Sequence, residues 1–188
     1  MTTTTDEQHD DVHARWDEAC RSAECDHAST LAPVPAVPRG PTTIRRATSA
    51  DVDVIVAMAL RFQQTTTYAQ YLRTTEPTLR ALAAAIVANA EAVILVAERL
   101  GVVVGMIAAV LVVQPMSGEC VGTEICWWME PEARGGRSAL RLLRAAEQWA
   151  RDRGAVVFQM SAPSDAVGAF YEALHYDRIE THYQRRLA

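Results

Sequence analysis

The sequence predicts an α/β domain with a mixed, mostly antiparallel central sheet flanked by helices. Three observations carry this expectation. Two β-branched apolar runs, residues 92–98 and 101–113, are strand-length and lie at hairpin spacing. Amphipathic segments with apolar residues three and four apart stand on both sides of that pair. The resulting order, β-α-α-β-β-β-α-β-α-β-β, combines hairpins with helical crossovers and shows no internal repeat.

The first 42 residues read as an arm and residues 43–188 as the domain. In the arm, Thr5 and Gln8 suit a capping box, and Val12, Trp16, Ala19 and Ala23 share one helical stripe, a face for docking on a protein partner. The Pro-rich stretch 31–41 ends that helix in extended, semi-rigid backbone. The arm also holds the charge. Residues 1–27 carry eight acidic side chains against Arg15 and Arg21, so the net charge of -5 belongs to the arm and the body is near neutral. So balanced a body lacks the basic footprint of a nucleic-acid binder.

Cys20, Cys25, Cys120 and Cys126 do not form a secreted disulfide framework in a chain of this size, which predicts a reducing, cytoplasmic setting. His9, His13, Cys20, Cys25 and His27 match no common zinc spacing, and no metal is expected. No run of about 18 apolar residues marks a membrane span, and no signal peptide is recognisable.

In the domain, residues 43–47 suit a first strand, and Ser49 can cap a helix reaching about Phe62. A polar, aromatic loop with Tyr68 and Tyr71 follows. Pro77 opens a second helix with Leu79, Leu82, Ile86 and Val87 on its inner face. After the hairpin, residues 119–130 form another strand. Alternation there sends Trp127 and Trp128 to opposite faces, so one at most lines a site and the other enters the core. A long helix over 135–153 buries Ala139, Leu142, Leu143, Ala146, Trp149 and Ala150. A strand at 155–161, a helix over 164–174 and two strand-like pieces, 176–180 and 181–187, complete the chain.

The Arg-Gly-Gly-Arg loop entering the long helix is the strongest candidate binding element. Amides from Gly135 to Ala139 start the helix without helical partners, and the positive end of its dipole favours an anion. Neither a P-loop nor a dinucleotide fingerprint is present, so the loop's own residues leave open both a diphosphate held by glycine-rich amides and a plain tight corner.

Loop and element order together resemble the GNAT superfamily of N-acetyltransferases. Its Q/R-x-x-G-x-G/A signature matches at Arg134 and Ala139, and Arg137 stands where the family usually has glycine. The later stretch 169–176 resembles a second signature, F/Y-Y-E-x-L-G-F/Y, with Tyr171 matching and His175 replacing the glycine. The two lie about 35 residues apart in the family's order. The stretches 134–150 and 180–187 look especially like phage-encoded members, which raises the alternative of a virion-associated or assembly protein using the arm.

The resemblance implies a GNAT fold that binds acetyl-CoA in a fork between the fourth and fifth strands and transfers acetyl directly to an amine. Backbone groups of Cys126, Trp127, Trp128 and Met129 then align the pantetheine. Arg134, Gly135, Gly136, Arg137, Ser138 and Ala139 hold the pyrophosphate. Glu124 stands where several members place a base and Tyr171 where the family has its acid. Tyr68 and Tyr71 fall where members shape the acceptor pocket, and the acceptor is a small-molecule or peptide amine. Members often dimerise, so a homodimer is compatible with the resemblance. All eighteen basic residues are Arg, so the chain has no lysine of its own to acetylate.

Overall fold

The computed structural model describes residues 36–134 and 137–187. The arm helix expected around Trp16 lies outside the described residues. Five strands form one sheet in the order β1 (Thr43–Arg46), β2 (Ala92–Arg99), β3 (Val102–Val113), β4 (Cys120–Met129), β5 (Val157–Gln159). The first four are antiparallel neighbours, and β5 joins β4 in parallel. This is the predicted mixed, mostly antiparallel sheet. The β2–β3 turn needs left-handed backbone at both positions, and Leu100 and Gly101 supply φ of 48° and 81°.

Helices cover both faces. On one, α1 (Val52–Gln64) and α2 (Glu76–Ala88) bury Ile55, Met58, Ala83 and Ile86 against Ile94, Val96 and Met106. On the other, α3 (Ser138–Arg151) and α4 (Asp165–Ala173) bury Leu142, Leu143, Ala146 and Phe170 against Val93, Val104 and Ile107. Burial of this apolar area, at about 25 cal/mol per Å², is the main force holding the layers together. A buried ion pair, Arg61 with Glu130, ties α1 to the chain just past β4. Among the described residues no helix is long and apolar enough to cross a membrane.

Several expectations need correction. The first helix is entered from Thr48, whose amide donates to Asp51 Oδ2 at 2.7 Å, rather than from Ser49, and α1 runs to Gln64. Asp51 also takes two bonds of 2.8 Å from Arg45, which hold its carboxyl well below the usual range and fix α1 to β1. Leu82 is exposed because α2 turns Ala83 and Ile86 to the sheet instead. The long helix starts at Ser138, not Gly135, consistent with the low helix propensity of two successive glycines. The fifth strand shortens to three residues.

The two terminal strands do not form, and residues 176–187 have no regular structure. In the stretch 181–187 one alternating face is polar and the other interrupts Tyr183 and Leu187 with Arg185, so neither offers a continuous apolar side to bury and set a register. The end of the linker is tied down. Thr42 Oγ1 lies 2.8 Å from Ser138 Oγ and accepts from Arg99 Nε at 2.9 Å, while Arg141 donates to the Thr42 carbonyl at 2.6 Å.

Candidate active site

The parallel β4–β5 pairing covers only Val121–Thr123 against Val157–Gln159. Beyond Thr123 the strands part. At the base of this fork Gly122 admits close packing, since a Cβ there would stand 2.7 Å from Phe158 Cδ2 and 2.8 Å from Ala150 Cβ. Past it opens a cleft of about 1740 Å³, bordered by Glu124, Trp127, Trp128, Met129, Arg134 and Tyr171.

Glu124 reaches its position through a β-bulge. Register with β3 shifts between Ala108 and Ala109, so Cys126 faces Ala108, Glu124 faces Ala109, and Ile125 is the extra residue. Strict alternation would put Glu124 on the face of Cys126 and Trp128. The bulge turns it instead to the face of Ala109 and Trp127, under α3 and α4. Across the fork the Ser161 amide makes a long 3.5 Å contact to Glu124 Oε2. Burial pushes the carboxyl up to about 7, outweighing that contact.

Tyr171 lies on the same face. Its buried ring stacks on Trp127 with centroids 6.4 Å apart and planes 15° from parallel, and it meets Tyr176 at 5.9 Å. The end of α4 fixes this geometry. His175 takes φ of 67°, its amide bonds the Glu172 carbonyl, and the Tyr176 amide bonds the Tyr171 carbonyl, each at 3.0 Å. This is a Schellman motif whose accompanying apolar contact is the Tyr171–Tyr176 pair. The residue replacing the family's glycine thus sits at the left-handed position that glycine favours. Tyr176 Oη in turn donates to Glu147 of α3 at 2.5 Å.

Trp127 and Trp128 do point into opposite layers, Trp127 toward α4 and Trp128 toward α1, where it meets Phe62 edge-on at 6.5 Å. Both nevertheless border the cleft, because the open fork joins the two faces. Cys126 is buried, and burial pushes its thiol well up, with Glu124 adding to the effect.

At the loop, the Arg134 guanidinium carbon stands 4.8 Å from the Trp128 ring centroid, and its Nε donates to the Met129 carbonyl at 3.2 Å. Gly135 and Gly136 lie outside the described residues. Arg137 is exposed at the start of α3. The first bond of α3 runs from the Arg141 amide to the Arg137 carbonyl, so the amides of Ser138 and Ala139 open the helix without helical partners. The Ser138 hydroxyl is engaged by Thr42 and by Arg99 at 3.3 Å, which leaves its amide for an anion. Among the described residues no three His, Cys, Asp or Glu side chains gather to hold a metal.

Sequence reasoning missed the Ile125 bulge, the Ser161 amide across the fork and the C-terminal residues 177–184, which also border the cleft. Only the interrupted alternation around Glu124 and Ile125 hinted at the first.

Solved structures share this architecture. A transcriptional regulator from Bacillus halodurans matches with a TM-score of 0.65 at 20% identity, over 78% of this chain and 100% of its own. AAC(6')-Iy in complex with the bisubstrate analog CoA-S-monomethyl-acetylneamine matches with a TM-score of 0.66 at 15% identity, over 79% and 99%. A predicted acetyltransferase with acetyl-CoA from Clostridium acetobutylicum matches with a TM-score of 0.65 at 16% identity, over 78% and 96%. At such identities the likeness shows the fold alone. No curated protein matches the sequence. The family model described as "Acetyltransferase (GNAT) family" matches residues 57–176, from α1 through the Tyr176 end of α4, and the chain belongs to that family.

Proposed function

We propose that the protein is an N-acetyltransferase that moves acetyl from acetyl-CoA directly to a primary amine. The observation that carries this reading is the bulged strand: it brings Glu124, with a carboxyl at about 7, to the face of Tyr171 inside an open fork. The family supports it, as do two neighbours whose structures hold a CoA bisubstrate analog and acetyl-CoA.

In this reading the β4 edge from Cys126 to Met129, unpaired on its β5 side among the described residues, aligns the pantetheine. The loop from Arg134 to Ala139 holds the pyrophosphate, with Ser138 acting through its amide. Glu124 takes a proton from the incoming ammonium. The amine nitrogen then bonds the thioester carbonyl carbon, the carbon–sulfur bond breaks, the Tyr171 hydroxyl protonates the departing thiolate, and the second proton that the nitrogen sheds on becoming an amide restores the Tyr171 hydroxyl. A carboxyl at about 7 is matched to the first task, ionised often enough to accept yet basic enough to pull. Cys126 stays a buried thiol, which favours direct transfer over an acylated cysteine.

The test is Tyr171→Phe. Losing a general acid should lower kcat roughly a hundredfold while acetyl-CoA binding by calorimetry is unchanged. An unchanged kcat would remove Tyr171 from the mechanism. The assembly-protein alternative and the phage resemblance draw on the arm and on sequence likeness, and no observation favours them.

A further inference from the structure

The acidic arm and the face it is tied to are opposite in charge. Residues 1–27 hold eight carboxylates against Arg15 and Arg21, whereas residues 131–153 hold six Arg against Glu132, Glu147 and Asp152. Four of those Arg share one side of α3. Spaced by four, three and seven residues, Arg137, Arg141, Arg144 and Arg151 are all exposed and lie opposite the buried Leu142, Leu143, Ala146 and Ala150.

A charged face is ordinarily left to water, but this one differs from the rest of the body in two ways. First, its guanidiniums lack carboxylates. Elsewhere Arg45 pairs with Asp51 and Glu98, Arg80 with Asp53 and Glu76, and Arg178 with Glu172. Among the described residues Arg141, Arg144 and Arg151 have no carboxylate partner: Arg141 donates to the Thr42 carbonyl, and Arg151 to Gln148 Oε1 at 2.8 Å. Second, the arm is delivered to this face. Thr42 is bonded to Ser138 and Arg141 at the start of α3, and Val37 packs on the apolar cluster beneath α3 and α4. The described chain therefore begins, at Ala36, on the α3 side of the sheet. The 14 residues of α3 make a helix about 21 Å long. The ten steps from Asp26 to Ala36 span up to about 31 Å when extended, enough to bring the carboxylates over the whole stripe. Exposed ion pairs are weak singly, but a tether holds both partners at a high local concentration and lets several act together.

We propose that the side of α3 carrying Arg141, Arg144 and Arg151 is the docking surface of this chain's own acidic arm, residues 6–26. The contact is electrostatic and intramolecular. It goes beyond the acetyl-transfer reading and does not depend on it.

The test is small-angle X-ray scattering of the full chain at rising NaCl concentration, with light scattering for mass. Salt acts in opposite directions on the two arrangements. An undocked acidic arm contracts as its self-repulsion is screened, whereas a docked arm is released and the particle expands. Between about 50 and about 500 mM NaCl the radius of gyration should rise by roughly 3 Å at constant mass. Arg144→Glu combined with Arg151→Glu should show the expanded radius already at low salt. Replacing Asp10, Asp11, Asp17 and Glu18 by Arg in that background should recover the compact radius, as a charge swap across a real contact does. Contraction with salt, or no change, overturns the docking. A compact radius that persists at low salt in the Arg144→Glu, Arg151→Glu chain places the arm elsewhere and overturns the surface. Compaction accompanied by a doubled mass seats the arm on a second copy and overturns the intramolecular contact.

Discussion

Burial sets the Glu124 carboxyl near 7, so its titration falls where both rate and stability can be read. As the proposed base it must be ionised, and kcat/KM should rise with pH through about 7 and level off above it. Glu124→Gln should abolish that rising limb; a limb that persists in the variant belongs to another group. Stability runs the other way. The folded chain holds this proton more tightly than the unfolded chain, so the native protein is most favoured below the ordinary glutamate pKa and loses stability as pH rises through about 7. The Gln variant should lose less over that interval in thermal melts. His175 carries a different load, a left-handed φ of 67° on a residue with a Cβ. His175→Gly should stabilise by up to about 1 kcal/mol, because relief of that strain exceeds the added freedom of the unfolded chain. A melting temperature that falls would place an unrecognised contact on the imidazole.

At the scale of elements, the fork depends on how tightly α3 and β5 close on β4 at its base. Gly122 permits that closure, with no room for a methyl beside Phe158 and Ala150. Gly122→Ala should destabilise by about 1–3 kcal/mol in denaturant unfolding, the usual cost of overpacking. Full stability would mean that the base of the fork yields freely. These elements were unevenly legible in the sequence. Strands β2 and β3 were plain because β-branched runs of strand length flank a two-residue turn. The faces of α3 were plain because its apolar residues recur at three and four. The bulge at Ile125 was not, since a bulge is decided by pairing with a neighbouring strand and leaves little mark on its own sequence. The terminal strands were overread, because residues 181–187 alternate without a continuous apolar side to bury.

For the whole molecule, two layers of helices on a five-stranded sheet place Glu124, Trp127, Trp128, Met129, Arg134 and Tyr171 around one opening. Cys126 is buried beside it, and Arg137, Ser138 and Ala139 stand at the start of α3 outside its border, the Ser138 hydroxyl turned to Thr42 and Arg99. The family was readable from two short motifs in order, whereas the border of the cleft formed by residues 177–184 was not, because that segment has no regular structure to leave a pattern. The central claim is acetyl transfer to an amine within the fork. Its most direct test is to incubate the full chain with acetyl-CoA and a panel of primary amines, following free CoA thiol and acetylated amine together by mass spectrometry. The account predicts an N-acetylated product formed in equal amount with CoA and strongly reduced in Glu124→Gln. Binding of acetyl-CoA with no acetylated amine from any member of the panel would contradict it.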